Sequence, residues 1–260
     1  MNTTVLFEKK GVIGEITLNR PDHMNAMNLD LIDGLGAAVK KCRDPEIRAV
    51  VLRGKGKCFS AGGDIKAFSQ MIEKKMSIPL EMPDRLHAMV EDLRNLEKPV
   101  LASVHKAAAG AGTPLALACD LVIAAMDAVF NMAYIRIGLS PDGSSTYFLP
   151  RHVGMKKAAE ILMTIPTLSA QEAKELGLIN WVVPPAELEE RTQAIIQQLA
   201  QGPTLAFAKV KKMLNQSYHN NLHDQLALET QMICESSTTE DFKEGIHSFL
   251  EKRMPEFKGC

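Results

Sequence analysis

The first two-thirds of the chain alternates between patterns typical of strands and patterns typical of helices. Apolar and polar residues alternate over residues 5–9 and 12–18, around Lys10-Gly11, which predicts an amino-terminal hairpin. Mainly apolar runs bounded by turn residues predict buried strands at 49–52, 100–104, 121–125, 129–132 and 179–183. Between them, apolar residues recur with the 3.6-residue period of amphipathic helices, at 31–42, 85–96, 147–153, 155–163 and 169–176.

Two of these helices carry recognisable starts. Asn28 stands at the N-cap position of the first, and Ser169 caps the last, with Glu172 completing a capping box. Residues 66–82, rich in Met and Lys, are expected to form a mobile flap.

From residue 186 the pattern is helical to Arg253, with breaks near Gly202-Pro203 and Asn220-Asn221. Alternating strands and helices followed by helices alone predict an α/β core with a helical carboxy-terminal region. We place the core at residues 1–195 and the helical region at 196–260.

One strand-to-helix junction contains almost no side chains. Residues 107–112 read Ala-Ala-Ala-Gly-Ala-Gly, with Thr113 expected as the N-cap and Pro114 as the first residue of the next helix. Such a loop lets another molecule approach the backbone, and free N–H groups at the helix start suit an oxyanion. A tight turn that needs small residues for packing is the alternative, and the pattern leaves both open.

Residues 62–64, Gly-Gly-Asp, form a second glycine turn between a strand and a helix. Neither junction has the GxGxxG spacing of dinucleotide-binding folds or the GxxxxGK[ST] spacing of P-loops. The two junctions therefore do not predict a nucleotide-phosphate site of either kind.

Composition narrows the class of protein. The 260 residues are 46% hydrophobic and 23% charged, and a net charge of −1 without a basic stripe argues against a nucleic-acid partner. No run of about 18 apolar residues predicts a membrane span, and the amino terminus lacks the pattern of a secretory signal. The five cysteines have no metal-ligand or disulfide spacing, so we expect reduced thiols and a cytoplasmic location.

Three ionisable residues are considered as candidates for chemistry. Asp142 lies in a Pro-Asp-Gly turn with apolar neighbours, before a predicted helix. Its carboxylate can cap that helix or transfer a proton, and the turn by itself favours the cap. A single histidine on a helix or beside a strand is more often structural than catalytic, so structural roles are favoured for His87 and His105.

Several motifs together resemble the crotonase superfamily of enoyl-CoA hydratases and isomerases, along nearly the whole chain. They are Asn19-Arg20-Pro21 with Asn25-Ala26, and segments within residues 59–65, 98–120, 137–143 and 169–178. The resemblance implies a spiral of ββα units and a helical carboxy-terminal region that builds trimers, often paired into hexamers. It also implies an acyl-CoA thioester substrate, with CoA entering as part of that substrate and with no metal or separate cofactor.

The resemblance also assigns roles by motif position. It gives the oxyanion hole to the backbone N–H groups of Gly63 and Ala111, which would bind the thioester oxygen and stabilise an enolate. Contacts to CoA fall on Met24, Ala61, Ile65 and Lys66, and on Phe249 and Lys252, which in some members come from an adjacent subunit.

Two departures from the family pattern bear on the mechanism. Typical hydratases carry two glutamates that activate water, and Pro114 and Tyr134 stand at their positions. Tyr134 is expected to line the substrate site, but a tyrosine with an ordinary pKa of about 10 is a poor base at neutral pH. Asp142 falls where family isomerases, including the ring-epoxide isomerase of phenylacetate breakdown, place their base. The resemblance favours an isomerase with Asp142 as base; a hydratase and a non-catalytic acyl-CoA-binding protein are the alternatives.

Overall fold

The computed structural model describes residues 3–260, which hold nine strands and ten α-helices. The strands are β1 (Val5–Lys10), β2 (Ile13–Leu18), β3 (Ala49–Gly54), β4 (Val100–Val104), β5 (Ala107–Ala109), β6 (Leu121–Ala125), β7 (Val129–Asn131), β8 (Leu168–Ser169) and β9 (Trp181–Val183). The helices are α1 (Leu29–Lys41), α2 (Ile65–Glu73), α3 (Glu81–Arg94), α4 (Gly112–Ala118), α5 (Ser145–Thr164), α6 (Ala170–Glu175), α7 (Leu188–Gln201), α8 (Thr204–Gln216), α9 (Leu222–Ser236) and α10 (Glu240–Glu251). This order confirms the predicted α/β class with helices alone at the carboxy-terminal end.

Six strands form one mixed sheet in the order β1-β2-β3-β4-β6-β9. The β1–β2 hairpin is antiparallel, and every later pair in this sheet is parallel. β4 is buried along its whole length and β3 over residues 49–52, as in strands covered on both faces, which is why they appear as continuous apolar runs. A second, short sheet has the order β5-β7-β8, and β5 leads into the first glycine junction.

Helices pack on both faces of the larger sheet. α1, α3 and α4 contribute Leu31, Leu93 and Leu115 to the main core. On the opposite face, Ile196 and Ala200 of α7 pack against the strands. α7 therefore spans the predicted boundary between residues 195 and 196, and residues beyond that boundary pack on the sheet.

Local sequence signals account for several helix ends. The Asn28 side chain accepts a hydrogen bond from the Leu31 N–H at 3.1 Å, and Ser169 and Glu172 form the predicted capping box. α5 joins the two helices predicted at 147–153 and 155–163 through a kink at Gly154, where φ is +75°.

One predicted helix start is wrong. Thr113 is not the N-cap of α4, because the helix begins at Gly112 with Ala111 in the N-cap position. The Thr113 hydroxyl instead donates to the carbonyl oxygen of Ala108 at 2.6 Å, which ties α4 to β5. Residues 66–82, expected to form a mobile flap, contain most of α2 and the start of α3, and Met82 is buried in the core; their mobility stays a prediction. Asp64 caps α2, which begins where the sequence predicts a helix after the second glycine turn.

A buried lysine fastens α8 to the core. The Lys211 ammonium donates to the carbonyl oxygens of Leu93 (3.2 Å) and Lys98 (3.3 Å) and to the Asp120 carboxylate (2.8 Å). Burial lowers the pKa of Lys211, and the attraction of Asp120 opposes that shift.

The carboxy-terminal helices leave large apolar side chains exposed in the single chain, among them Leu222, Ile233, Phe249 and Leu250. Exposed apolar area of this kind is typical of interaction surfaces, but the predicted trimer or hexamer stays a prediction. None of the helices in the described part of the chain is long and apolar enough to cross a membrane.

Candidate active site

The two glycine junctions lie against each other. Ser60 donates its N–H to the carbonyl oxygen of Ala107 at 3.1 Å, and Ala109 donates to Ser60 at 2.9 Å. The approach leaves no room for side chains, since a β-carbon on Gly62 would lie 2.7 Å from the Ala109 oxygen. Gly62 also has a φ of +93°, a conformation that glycine adopts without strain. The glycines thus serve close packing, and that packing brings the two loops to one place.

Two backbone N–H groups are free at this junction. Among residues 3–260, no acceptor receives a hydrogen bond from the N–H of Gly63 or of Ala111. The residues on either side of Gly63, in contrast, are hydrogen-bonded to Met27. The Met27 N–H donates to the Gly62 carbonyl oxygen at 2.6 Å, and the Asp64 N–H donates to the Met27 carbonyl oxygen at 3.0 Å. Gly63 and Ala111 line the same cavity, of about 450 Å³. The predicted oxyanion pair is therefore brought together with its donors unoccupied.

An ion pair holds the Gly63 turn. Asp64 accepts hydrogen bonds from Arg20 at 2.9 Å and from the Ala67 N–H at 3.2 Å, where it caps α2. Burial raises the pKa of Asp64, but the hydrogen bonds from Arg20 and Ala67 outweigh it, so the net shift is downward. The sequence shows Arg20 only as part of the Asn19-Arg20-Pro21 motif, which gives no sign of this ion pair.

Asp142 reaches the same cavity with an unpartnered carboxylate. Its Oδ1 is buried and has no hydrogen-bond partner within the described residues. Ser144, not Asp142, occupies the N-cap of α5, and the Asp142 side chain makes no capping bond. The main chain around it is tightly held, since the Asp142 carbonyl oxygen accepts from the N–H (3.1 Å) and the hydroxyl (2.7 Å) of Ser145. The helix-cap alternative therefore fails, and a fixed backbone presents a free carboxylate.

Tyr134 and Pro114 lie beside Asp142 but supply no base. Tyr134 is buried, lines the cavity, and its hydroxyl lies 3.4 Å from the Asp142 carbonyl oxygen. Burial and the Asp142 charge raise the pKa of Tyr134 above its ordinary value, so the phenol stays protonated at neutral pH. Pro114 is buried in α4 near Gly143 and carries no titratable group.

The rest of the cavity wall is mainly apolar. Its side chains come from α1, α2, α3 and the segment before α5, and include Phe68, Met82, Leu86 and Leu139. Ile65, predicted to contact CoA, also lines this wall, and Arg136 is the one cationic side chain in it. Such a lining suits a hydrocarbon chain.

A groove of about 620 Å³ adjoins the cavity on the side of Ala61, which lines both. Met24, the other predicted CoA contact here, lines the groove together with Lys57 and Lys106, two cations that sequence reasoning missed. His105 also lines it and holds a hydrogen bond between its Nε2 and the Gly56 carbonyl oxygen at 2.9 Å, as expected of a structural histidine.

Three predicted CoA contacts lie elsewhere in the single chain. Lys66 is exposed on α2, and Phe249 and Lys252 are at the end of α10. None of the three lines the cavity or the groove. Their predicted roles stay predictions.

Comparisons with known proteins show the family of this chain. The family model described as enoyl-CoA hydratase/isomerase matches residues 8–260. A probable enoyl-CoA hydratase from Rhodobacter capsulatus is 40% identical over 98% of this chain and 98% of its own length. The 1,2-epoxyphenylacetyl-CoA isomerase of Escherichia coli is 36% identical, with 96% of each chain covered. The solved structure of an enoyl-CoA hydratase from Polaromonas sp. JS666 is 34% identical, with a TM-score of 0.93 over 98% of this chain and 99% of that one. The chain therefore belongs to the enoyl-CoA hydratase/isomerase family, within the crotonase superfamily.

Proposed function

We propose that this chain is an enoyl-CoA isomerase that shifts a double bond through a thioester enolate. The observation that carries the proposal is the Asp142 carboxylate, whose buried Oδ1 has no hydrogen-bond partner within the described residues, at a cavity where the N–H groups of Gly63 and Ala111 are also free. A base and an oxyanion site at one apolar cavity are the two parts that the chemistry needs.

In the proposed reaction, Gly63 and Ala111 bind the thioester oxygen. Asp142 takes a proton from the carbon next to the thioester, and the electron pair of that C–H bond moves into the enolate. The carboxyl group then returns the proton to a carbon two positions further along, and the double bond moves. Each fixed N–H donor is worth roughly 2.7–4 kcal/mol to the developing oxyanion. One carboxylate is sufficient, which fits the absence of an acid–base group at Pro114 and the protonated phenol of Tyr134.

The groove lined by Lys57 and Lys106 supports a site for the CoA part of the substrate. Lysine ammonium groups attract the phosphates of CoA, and Ala61 connects the groove to the cavity. No metal or separate cofactor enters the proposed chemistry, since CoA arrives within the substrate. We further propose a homotrimer or hexamer in which Phe249, 82% exposed, and Lys252 complete the nucleotide site of a neighbouring copy.

The test is turnover of a panel of 3-enoyl-CoA esters, with the 2-enoyl product measured by chromatography. Asp142→Asn should lower kcat by about 10²–10⁴, the usual contribution of a positioned acid–base group. Asp30→Asn, at an exposed position on α1, is the matched control and should keep full activity. Asp142→Asn with activity within a few-fold of the parent would contradict the assignment.

Hydration is the second candidate, because Asp142 also borders a more polar cavity of about 590 Å³. Water in that cavity would reach the carboxylate without passing the thioester site. Crotonyl-CoA distinguishes the two reactions: a hydratase converts it to a 3-hydroxyacyl-CoA, whereas the proposed isomerase leaves it unchanged. Tight binding of every ester tested, with turnover of none, would instead indicate a non-catalytic acyl-CoA-binding protein.

A further inference from the structure

His87 contacts the turn that carries Asp142 through the residue that follows it, Gly143. Its Nε2 accepts a hydrogen bond from the Gly143 N–H at 3.3 Å, across 56 residues of sequence. His87 lines the polar cavity of about 590 Å³, not the apolar cavity that holds Gly63 and Ala111. Asp142 lines both cavities, and the hydrogen bond that joins the imidazole to its turn is made to the backbone of the next residue.

We propose that His87 is a positioning residue for Asp142, an inference that rests on the proposed function. Gly143 is buried, with a φ of +58°, and a β-carbon on it would lie 3.4 Å from Leu86. On the other side of the turn, the Asp142 carbonyl oxygen is held by Ser145. His87 is the group that satisfies the buried N–H between these contacts, so it fixes the peptide next to the reacting carboxylate.

The contact requires one state of the imidazole. Because Nε2 accepts from an N–H, neutral His87 carries its proton on Nδ1. The imidazolium has no acceptor nitrogen, so protonation removes the bond and releases the turn. Activity that depends on this contact is therefore lost when His87 is protonated.

Other titratable and charged groups surround His87 and also affect how activity depends on pH. Asp84, Glu91 and Arg94 lie on its own helix, and the last two line the polar cavity. Three more such groups line the same cavity: Asp142 on the turn, Tyr147 on α5 and His219 in the segment after α8. Arg94 is paired with Asp120 at 3.1 Å, and His219 is bonded to the Tyr147 hydroxyl at 3.0 Å, which leaves Glu91 and Asp142 as the anions facing the imidazole.

Two variants separate acceptance of a hydrogen bond from proton transfer. His87→Gln keeps an acceptor, since Oε1 reaches about as far as Nε2, whereas His87→Leu has none. His223→Leu, at an exposed position on α9, is the control. The readouts are kcat and KM for a 3-enoyl-CoA ester that the parent converts, the pH profile of kcat, and the Tm.

We expect His87→Leu to lose about 10- to 100-fold in kcat, with KM near that of the parent and a Tm lowered by several degrees, because a buried donor next to the base is left unpaired. His87→Gln should recover most of the loss in kcat and in Tm. His87→Leu with parental kcat would overturn the inference, as would His87→Gln as inactive as His87→Leu, which would indicate proton transfer. Asp142→Asn, measured in parallel, distinguishes failure of the proposed function from failure of the role of His87. Full activity of Asp142→Asn would overturn the proposed function. Loss of activity in Asp142→Asn together with parental activity in His87→Leu would overturn only the role of His87.

Discussion

Replacing Ala111 by proline removes one proposed oxyanion donor without removing a hydrogen bond of the folded chain. The φ of Ala111 is −63°, which lies in the range that the proline ring imposes. The Ala111 N–H donates no hydrogen bond within residues 3–260, so the folded chain loses none in the variant. The reacting oxyanion, in contrast, loses roughly 2.7–4 kcal/mol of stabilisation, which corresponds to about 10²–10³ in rate.

The assay compares Ala111→Pro with Ala111→Gly, which keeps the N–H, in kcat/KM for isomerisation and in the Tm. We expect Ala111→Gly to stay within a few-fold of the parent, and Ala111→Pro to lose about 10²–10³ while its Tm changes little. Because the ring also enters the cavity, binding of a saturated acyl-CoA is measured separately to assign the loss to the chemical step. A folded Ala111→Pro protein with near-parental kcat/KM would refute Ala111 as an oxyanion donor.

Three further predictions concern groups around the site. Tyr134→Phe should keep kcat within about tenfold, because burial raises the pKa of Tyr134 and excludes it as a base; a loss beyond about 10² would contradict this. The net pKa of Asp64 is lowered on folding, so its stabilisation is present above the ordinary pKa of about 3.9 and is lost as the pH falls below it. In urea unfolding, the free energy of unfolding should therefore fall less between pH 7 and pH 3 for Asp64→Asn than for the parent. An equal fall in both proteins would contradict this role of Asp64. Burial raises the pKa of Cys42 and of Cys119 to about 12, so iodoacetamide at pH 8 should label neither before denaturation, as mass spectrometry can verify.

The sequence could predict those parts of the fold and site whose signals are local. Both glycine junctions were recognisable because their backbones pack too closely for side chains, and the capping box at Ser169 lies within four consecutive residues. The strands of the larger sheet were recognisable because burial on both faces makes them continuously apolar.

Contacts between distant residues could not be predicted in the same way. The partner of Asp64 lies 44 residues away at Arg20, and the donor to His87 lies 56 residues away at Gly143. The Pro-Asp-Gly turn by itself favoured a helix cap for Asp142, and only the family resemblance favoured a base, since a cap and a base occupy similar turns. The structure excludes the cap, because Ser144 occupies the N-cap position and the buried Oδ1 of Asp142 has no hydrogen-bond partner within the described residues, whereas the role of base stays a proposal.

The central claim is that Asp142 moves a proton on an enolate held by Gly63 and Ala111. The most direct measurement is deuterium incorporation, by mass spectrometry, into saturated and 3-enoyl-CoA esters incubated with the protein in D₂O. We expect incorporation with the parent and none above background with Asp142→Asn, while both proteins bind the ester equally well. Equal incorporation by Asp142→Asn, or none by the parent into an ester that it demonstrably binds, would refute this role of Asp142.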